Sequence, residues 1–196
     1  ILYCNMEPKF TSDWFSHHIP LWELWLRDLK GLPHLDFLEV GCYEGRATIW
    51  LLNNIITHDS CKISCIDWFV DEEYTIANNK TLRDQFIENI IPYLDKISVY
   101  EDQSFNALQN LNIAKQKFDF IYIDGCHKSQ SVIEDAVLSF RMLKQYGIMI
   151  FDDYNYIAKD QIHELPRLGI SAFLSAYTNL IKIIYVGEQE IGRAHV

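Results

Sequence analysis

Residues 37–45 read Phe37-Leu-Glu-Val-Gly-Cys-Tyr-Glu-Gly45. A short apolar run that stops on a glycine, with a second glycine four positions later, marks a buried strand turning tightly into a helix. The stretch 47–56 that follows is apolar at helical spacing. Working outward, strand-like runs at 62–66, 97–100, 118–123, 148–151 and 180–186 alternate with helical stretches at 80–90, 104–111 and 170–177. Ser131-x-x-Glu134 resembles a capping box and predicts a helix from there to Gly147. Upstream, residues 13–30 are aromatic-rich and amphipathic (Trp14, Phe15, Trp22, Trp25), and Gly31-Leu-Pro33 stops them. Strands separated by helices imply right-handed crossovers and a mostly parallel sheet covered on both faces. The fold class is α/β: one doubly wound, Rossmann-like domain with an N-terminal helix at about 13–30.

Composition agrees. The 196 residues are 49% hydrophobic and 22% charged, too apolar for a disordered chain and sized for one core. No apolar run approaches the roughly 18 residues of a membrane helix. A formal charge of −10 argues against a nucleic-acid backbone as partner. The five cysteines (Cys4, Cys42, Cys61, Cys65, Cys126) are odd in number and lack a Cys-x-x-Cys pair. They read as small buried hydrophobes in a reducing cytoplasm rather than as a disulfide or zinc framework.

Ligands of such sheets bind beyond the carboxyl ends of the strands. All five of the first strands end in acid: Glu39 near Gly41, then Asp67-Trp68, Glu101-Asp102, Asp124-Gly-Cys-His127 and Asp152-Asp153. Two glycines alone fit a simple strand-to-helix turn as well as a ligand loop. Glu39 cannot help to hold a pyrophosphate, but it suits a cationic group. Asp67 is placed to accept the hydroxyls of a ribose, or to cap a helix. Trp68 offers an aromatic face to an adenine, or packs in the core. Asp124, Asp152 and Asp153 put three carboxylates at neighbouring strand ends, where the plainer reading is helix capping. His127 can accept a proton near pH 7, or merely line its loop.

In order and spacing, Glu39-x-Gly41-x-Tyr43-x-Gly45, Asp124-x-x-His127 and Asp152-Asp153 resemble the class I S-adenosylmethionine-dependent methyltransferases. The resemblance is to their metal-dependent O-methyltransferases, of the catechol type and above all the methyltransferase-24 (macrocin) type. It runs over about 14–186. It implies the strand order 3-2-1-4-5-7-6. It implies cofactor contacts at Glu39, Gly41, Tyr43, Gly45, Asp67, Trp68, Ser104 and Asp124, and ligation of a divalent cation such as Mg²⁺ by Asp124, Asp152 and Asp153, whose oxygens make a hard shell suited to it. It also implies catalytic roles for Asp124 and for His127, the latter as base toward a small-molecule hydroxyl (sugar, phenol or natural product). One position departs: Ala47 stands where the catechol type carries a serine for the methionine carboxylate, leaving Thr48 or backbone amides to replace it. Competing readings are a NAD-type Rossmann oxidoreductase, disfavoured by the missing G-x-G-x-x-G, and a non-catalytic S-adenosylmethionine-binding module. A cephalosporin-hydroxylase-type relative shares the same cofactor site. The N-terminal aromatic helix can serve as core, pocket wall or homo-oligomer contact.

The last residues, Glu190-Ile-Gly-Arg-Ala-His-Val196, back-translate onto a common sequencing-adaptor read-through. This predicts a native domain over 1–189, a foreign tail over 190–196, and a seventh strand cut short.

Overall fold

The computed structural model describes residues 7–70, 80–156, 165–187 and 190–194, the last as backbone. The apolar runs become strands β1 (Asp36–Val40), β2 (Lys62–Asp67), β3 (Ile97–Glu101), β4 (Phe118–Ile123), β5 (Leu143–Phe151), β6 (Ile181–Val186) and β7 (Glu190–Ala194). Between and before them lie α1 (Ile19–Leu26), α2 (Arg46–Asn54), α3 (Leu82–Ile90), α4 (Ser104–Ile113), α5 (Ser129–Met142) and α6 (Pro166–Ala176). The sheet order is β3-β2-β1-β4-β5-β7-β6. Pairing is parallel through β5, and β7 runs antiparallel to both β5 and β6.

Register decides where the site lies. Val40 pairs with Ile66 and with Ile123, Ile123 with Phe151, and Asp67 with Glu101. Gly41, Asp67, Asp124 and Asp152 therefore emerge together along one edge of the sheet. Alternation sorts the side chains between faces. Phe37, Phe120, Tyr122, Ile148 and Ile150 join Trp22, Leu51 and Phe86 in one core cluster. Leu38, Val40, Ile121, Ile123, Met149 and Phe151 pack with Leu108, Ala136 and Phe173 on the other side.

Several boundaries differ from the sequence reading. The N-terminal helix is shorter than 13–30. A 3-10 turn over Ser16–His18 leads into α1, and Pro20 sits in its first turn, where its missing N–H costs nothing. Ser131 and Glu134 form no capping box, because α5 begins two residues earlier, after Lys128. The capping box belongs to α3, where Thr81 and Asp84 exchange side-chain to backbone hydrogen bonds. Gly147 does not end a helix: α5 stops at Met142, and β5 starts at Leu143 with a register shift opposite Phe118 and Phe120. The adaptor-like stretch supplies β7, and a ladder asks only for backbone donors and acceptors in register. Cys42, Cys61 and Cys65 are buried and unbridged, while Cys126 is exposed. Among the described residues no helix is long and apolar enough to cross a membrane. Cys4, a lid expected at 71–79, and part of a second loop expected to shape the acceptor site, 157–164, lie outside the described residues.

The aromatic N-terminal helix is core. Trp22 is fully buried and meets Tyr122 edge-on at 4.8 Å, with Phe120 at 5.5 Å and Phe15 at 4.9 Å. Trp14 and Leu24 face outward instead. Trp22→Ala is expected to lower stability by about 3–5 kcal/mol, the usual cost of emptying a buried aromatic site, read from urea unfolding followed by circular dichroism.

Candidate active site

The loop after β1 is held by its neighbours. Gly41 has φ +86°, and a Cβ there would stand 1.9 Å from the Asp124 carbonyl oxygen. The close approach that requires glycine is thus to the chain's own β4 end rather than to a ligand. Gly45, at φ +84°, caps α2, and a Cβ there would press on the Phe86 ring at 3.1 Å. Tyr43 also takes a left-handed conformation, at φ 48°, and its ring lies 5.0 Å from Trp14. Asp67 stabilises this unusual backbone. Its Oδ2 accepts the N–H groups of Cys42 (2.7 Å) and Tyr43 (2.9 Å), and its Oδ1 accepts that of Phe69 (2.7 Å). Three of the roughly four lone-pair positions of the carboxylate are therefore used within the loop. Trp68 beside it is exposed, which removes core packing as its role.

Glu39 is buried beneath the loop, and its Oε2 accepts the Thr48 hydroxyl at 2.6 Å. Burial, reinforced by the Asp67 charge, pushes its carboxyl up to about 8 despite that hydrogen bond. Thr48 is thereby spent on Glu39 and does not replace the missing serine at Ala47. The first turn of α2 has no side-chain cap, so its backbone amides are the group left for that task. Ser104, the first residue of α4, lies beside the Asp135 carboxyl. Burial pushes that acid up to about 7 against the Ser104 contact, and neither Asp135 oxygen makes a well-formed hydrogen bond among the described residues.

Across the loop, the ends of β4 and β5 bring acids together. His127 Nε2 lies 2.9 Å from Asp153 Oδ2, and the His127 ring sits 4.6 Å from Tyr156. Asp124, His127 and Asp153 offer ligand atoms that all lie within 4.8 Å of one another. Asp152 is turned to other partners. Tyr122 donates its hydroxyl to Asp152 Oδ2, the Asp153 N–H reaches Oδ1 at 2.8 Å, and His18 Nε2 stands 3.5 Å from Oδ1. The Tyr122 hydroxyl also lies 3.0 Å from Asp124 Oδ2. One phenolic proton cannot serve two carboxylates, so this pair shares a further proton or a cation. Burial and the charges of Asp152 and Asp153 raise Asp124 well above the usual carboxylate range. Burial would raise Asp152 too, but the bonds from His18 and Tyr122 outweigh it and hold Asp152 low. Asp124 and Asp152 are thus pushed in opposite directions. Hard carboxylate oxygens with a neighbouring imidazole suit a divalent cation, and its charge would do what that proton does.

Two members of this site carry no sequence motif. Tyr122 shares a strand face with Asp124 by simple alternation, a signal present in 118–124. His18 has none, because its contact with Asp152 exists only once the N-terminal helix is docked.

This fold, with its glycine loop under an acidic strand edge, defines a class I methyltransferase. A model of the methyltransferase-24 family, described as "Methyltransferase domain", matches residues 38–154, and the chain belongs to that family. Among curated proteins, 26% identity over 122 residues links it to uncharacterized protein R132 of Acanthamoeba polyphaga mimivirus, covering 61% of this chain and 52% of that one. The chain thus spans about half the length of that relative. An O-methyltransferase from Bacillus cereus, solved with SAH, superposes with TM-score 0.68 at 17% identity over 94% of this chain and 84% of that one. The MycE methyltransferase of mycinamycin biosynthesis, solved with Mg, SAH and mycinamycin VI, gives 0.65 at 13% identity over 94% and 51%. At these identities the likeness is one of fold.

The buried Glu39 has a measurable consequence. Below its ordinary value of 4.5 both folded and unfolded chains hold the proton; between there and about 8 only the folded chain does. Unfolding then releases a proton, so stability falls as pH rises through this window, by up to about 1.4 kcal/mol per pH unit. Urea unfolding of the ligand-free protein from pH 5 to 8 should show this decline, and Glu39→Gln should reduce its slope, leaving the part due to Asp124 and Asp135.

Proposed function

We propose that this chain transfers the methyl group of S-adenosylmethionine to a hydroxyl of a small molecule, with a divalent cation at the acidic edge. The reading is carried by one observation: Asp124, His127 and Asp153 converge within 4.8 Å beside the 41–45 loop. Family membership supports methyl transfer, and the net charge of −10 fits a cationic cofactor better than a nucleic acid.

The cofactor supplies an electrophilic methyl on a sulfonium, and a bound cation such as Mg²⁺ lowers the pKa of a hydroxyl that it holds. Within the chain, Glu39 gives up its proton to receive the cofactor's ammonium group. The backbone at Gly41, Tyr43, Gly45 and the start of α2 receives the methionine carboxylate. Asp67 offers its remaining lone pair to a ribose hydroxyl, Trp68 its exposed face to adenine, and Ser104 lies toward the same end. Asp124, Asp152 and Asp153 hold the cation. His127 would accept the proton of the acceptor hydroxyl. Asp153 orients its ring through the 2.9 Å contact.

The test is a screen of sugar, phenol and natural-product acceptors with labelled S-adenosylmethionine, with and without Mg²⁺. His127→Ala is expected to lower kcat by about 10²–10⁴-fold while leaving cofactor affinity in place. Asp124→Ala is expected to abolish stimulation by the metal. Full turnover in excess chelator would overturn the cation, and binding of NAD in place of S-adenosylmethionine would overturn methyl transfer.

A further inference from the structure

His18 belongs to no motif, yet it is only 4% exposed and reaches the acidic edge from the opposite end of the chain. Its Nε2 stands 3.5 Å from Asp152 Oδ1. One turn later comes Trp22, fully buried with its indole against the Tyr122 ring at 4.8 Å. Residues four apart in a helical segment share a face. The N-terminal segment therefore touches the site at two points: His18 on the Asp152 carboxylate, and Trp22 on the ring whose hydroxyl donates to that same carboxylate. The His17 ring, 3.7 Å from that of His18, flanks it from the other side.

We propose that His18 is a positioning residue. Together with Tyr122 it holds the Asp152 carboxylate in place at the candidate cation site, which makes the N-terminal helix part of that site. The inference rests on the cation reading above. Its physical basis is the usual role of groups behind a metal's ligands. A carboxylate left to rotate loses orientation each time it must bind, whereas one held by an imidazole N–H, a phenol and a backbone amide is set beforehand. Losing such an outer partner typically costs 10–100-fold in metal affinity.

The test is titration calorimetry of the whole chain with Mn²⁺, a spherical cation with the same taste for carboxylate oxygen, alongside SAH binding measured separately. His18→Leu fills the same apolar space without a donor and is expected to weaken Mn²⁺ binding by about 10–100-fold with SAH affinity unchanged. His18→Gln restores an N–H donor and is expected to recover most of the loss. Tyr122→Phe, which keeps the ring against Trp22, is expected to shift Mn²⁺ affinity in the same direction. Wild-type Mn²⁺ affinity in His18→Leu would overturn the inference. So would a parallel loss of SAH binding, which marks a general effect on folding, or a glutamine variant no better than the leucine one. A wild-type chain that binds no Mn²⁺ would overturn the cation reading itself, and this inference with it.

Discussion

Where Gly41 meets the Asp124 carbonyl oxygen, the chain has no room for even one more carbon: a Cβ would stand 1.9 Å away. The left-handed turn at Gly41 lets the end of β1 lie against the end of β4. From that contact the rest of the site is set out. The loop is thrown back over β2, where Asp67 ties its amides, and α2 starts under it at Gly45. Glu39 lies below the loop, near enough to Asp124 for its charge to act there. The glycine thus sets how closely the loop after β1 approaches the carboxylates at the end of β4.

A second theme is how so much acid is kept in a partly buried space. At the end of β3 an ion pair does it, Arg83 with Glu101. Around the buried acids of β1, β4 and β5, burial and neutral donors set the balance. Burial raises Glu39 although it takes the Thr48 hydroxyl, burial and neighbouring charges raise Asp124, and the contacts from His18 and Tyr122 hold Asp152 down.

Much of this was legible beforehand. The alternation of apolar runs and helical stretches yields the sheet, because strands buried on both faces have little choice of composition. Acids at five strand ends fall on one edge because a parallel sheet in register puts all carboxyl ends together. Less legible were the details that depend on geometry between distant segments. Helix starts moved by a few residues, since a Ser-x-x-Glu spelling at 131–134 competes with the packing of Val132 and Ala136, and packing wins. Thr48 looked available for a ligand, but its neighbour across the turn claims its hydroxyl. Asp67 proved to be a tie for backbone amides as well as a strand-end acid. His18 was invisible, because nothing local distinguishes a histidine that will meet a carboxylate from one that will not.

The last two strands add a matter of timing. β6 has no contact with β5 in the sheet and joins it only through β7. Since β7 follows β6 in the chain, β6 enters the sheet only once its successor is made; until then it is held by side-chain packing such as that of Tyr185, whose ring lies 5.0 Å from Trp25. Every residue of the acidic edge comes earlier, on β1 to β5 and the helices between. During synthesis from the N-terminus the acidic edge is therefore made while one border of the sheet still stands open, with β5 presenting its unpaired backbone groups. In the structure β7 covers that border, pairing antiparallel with both β5 and β6.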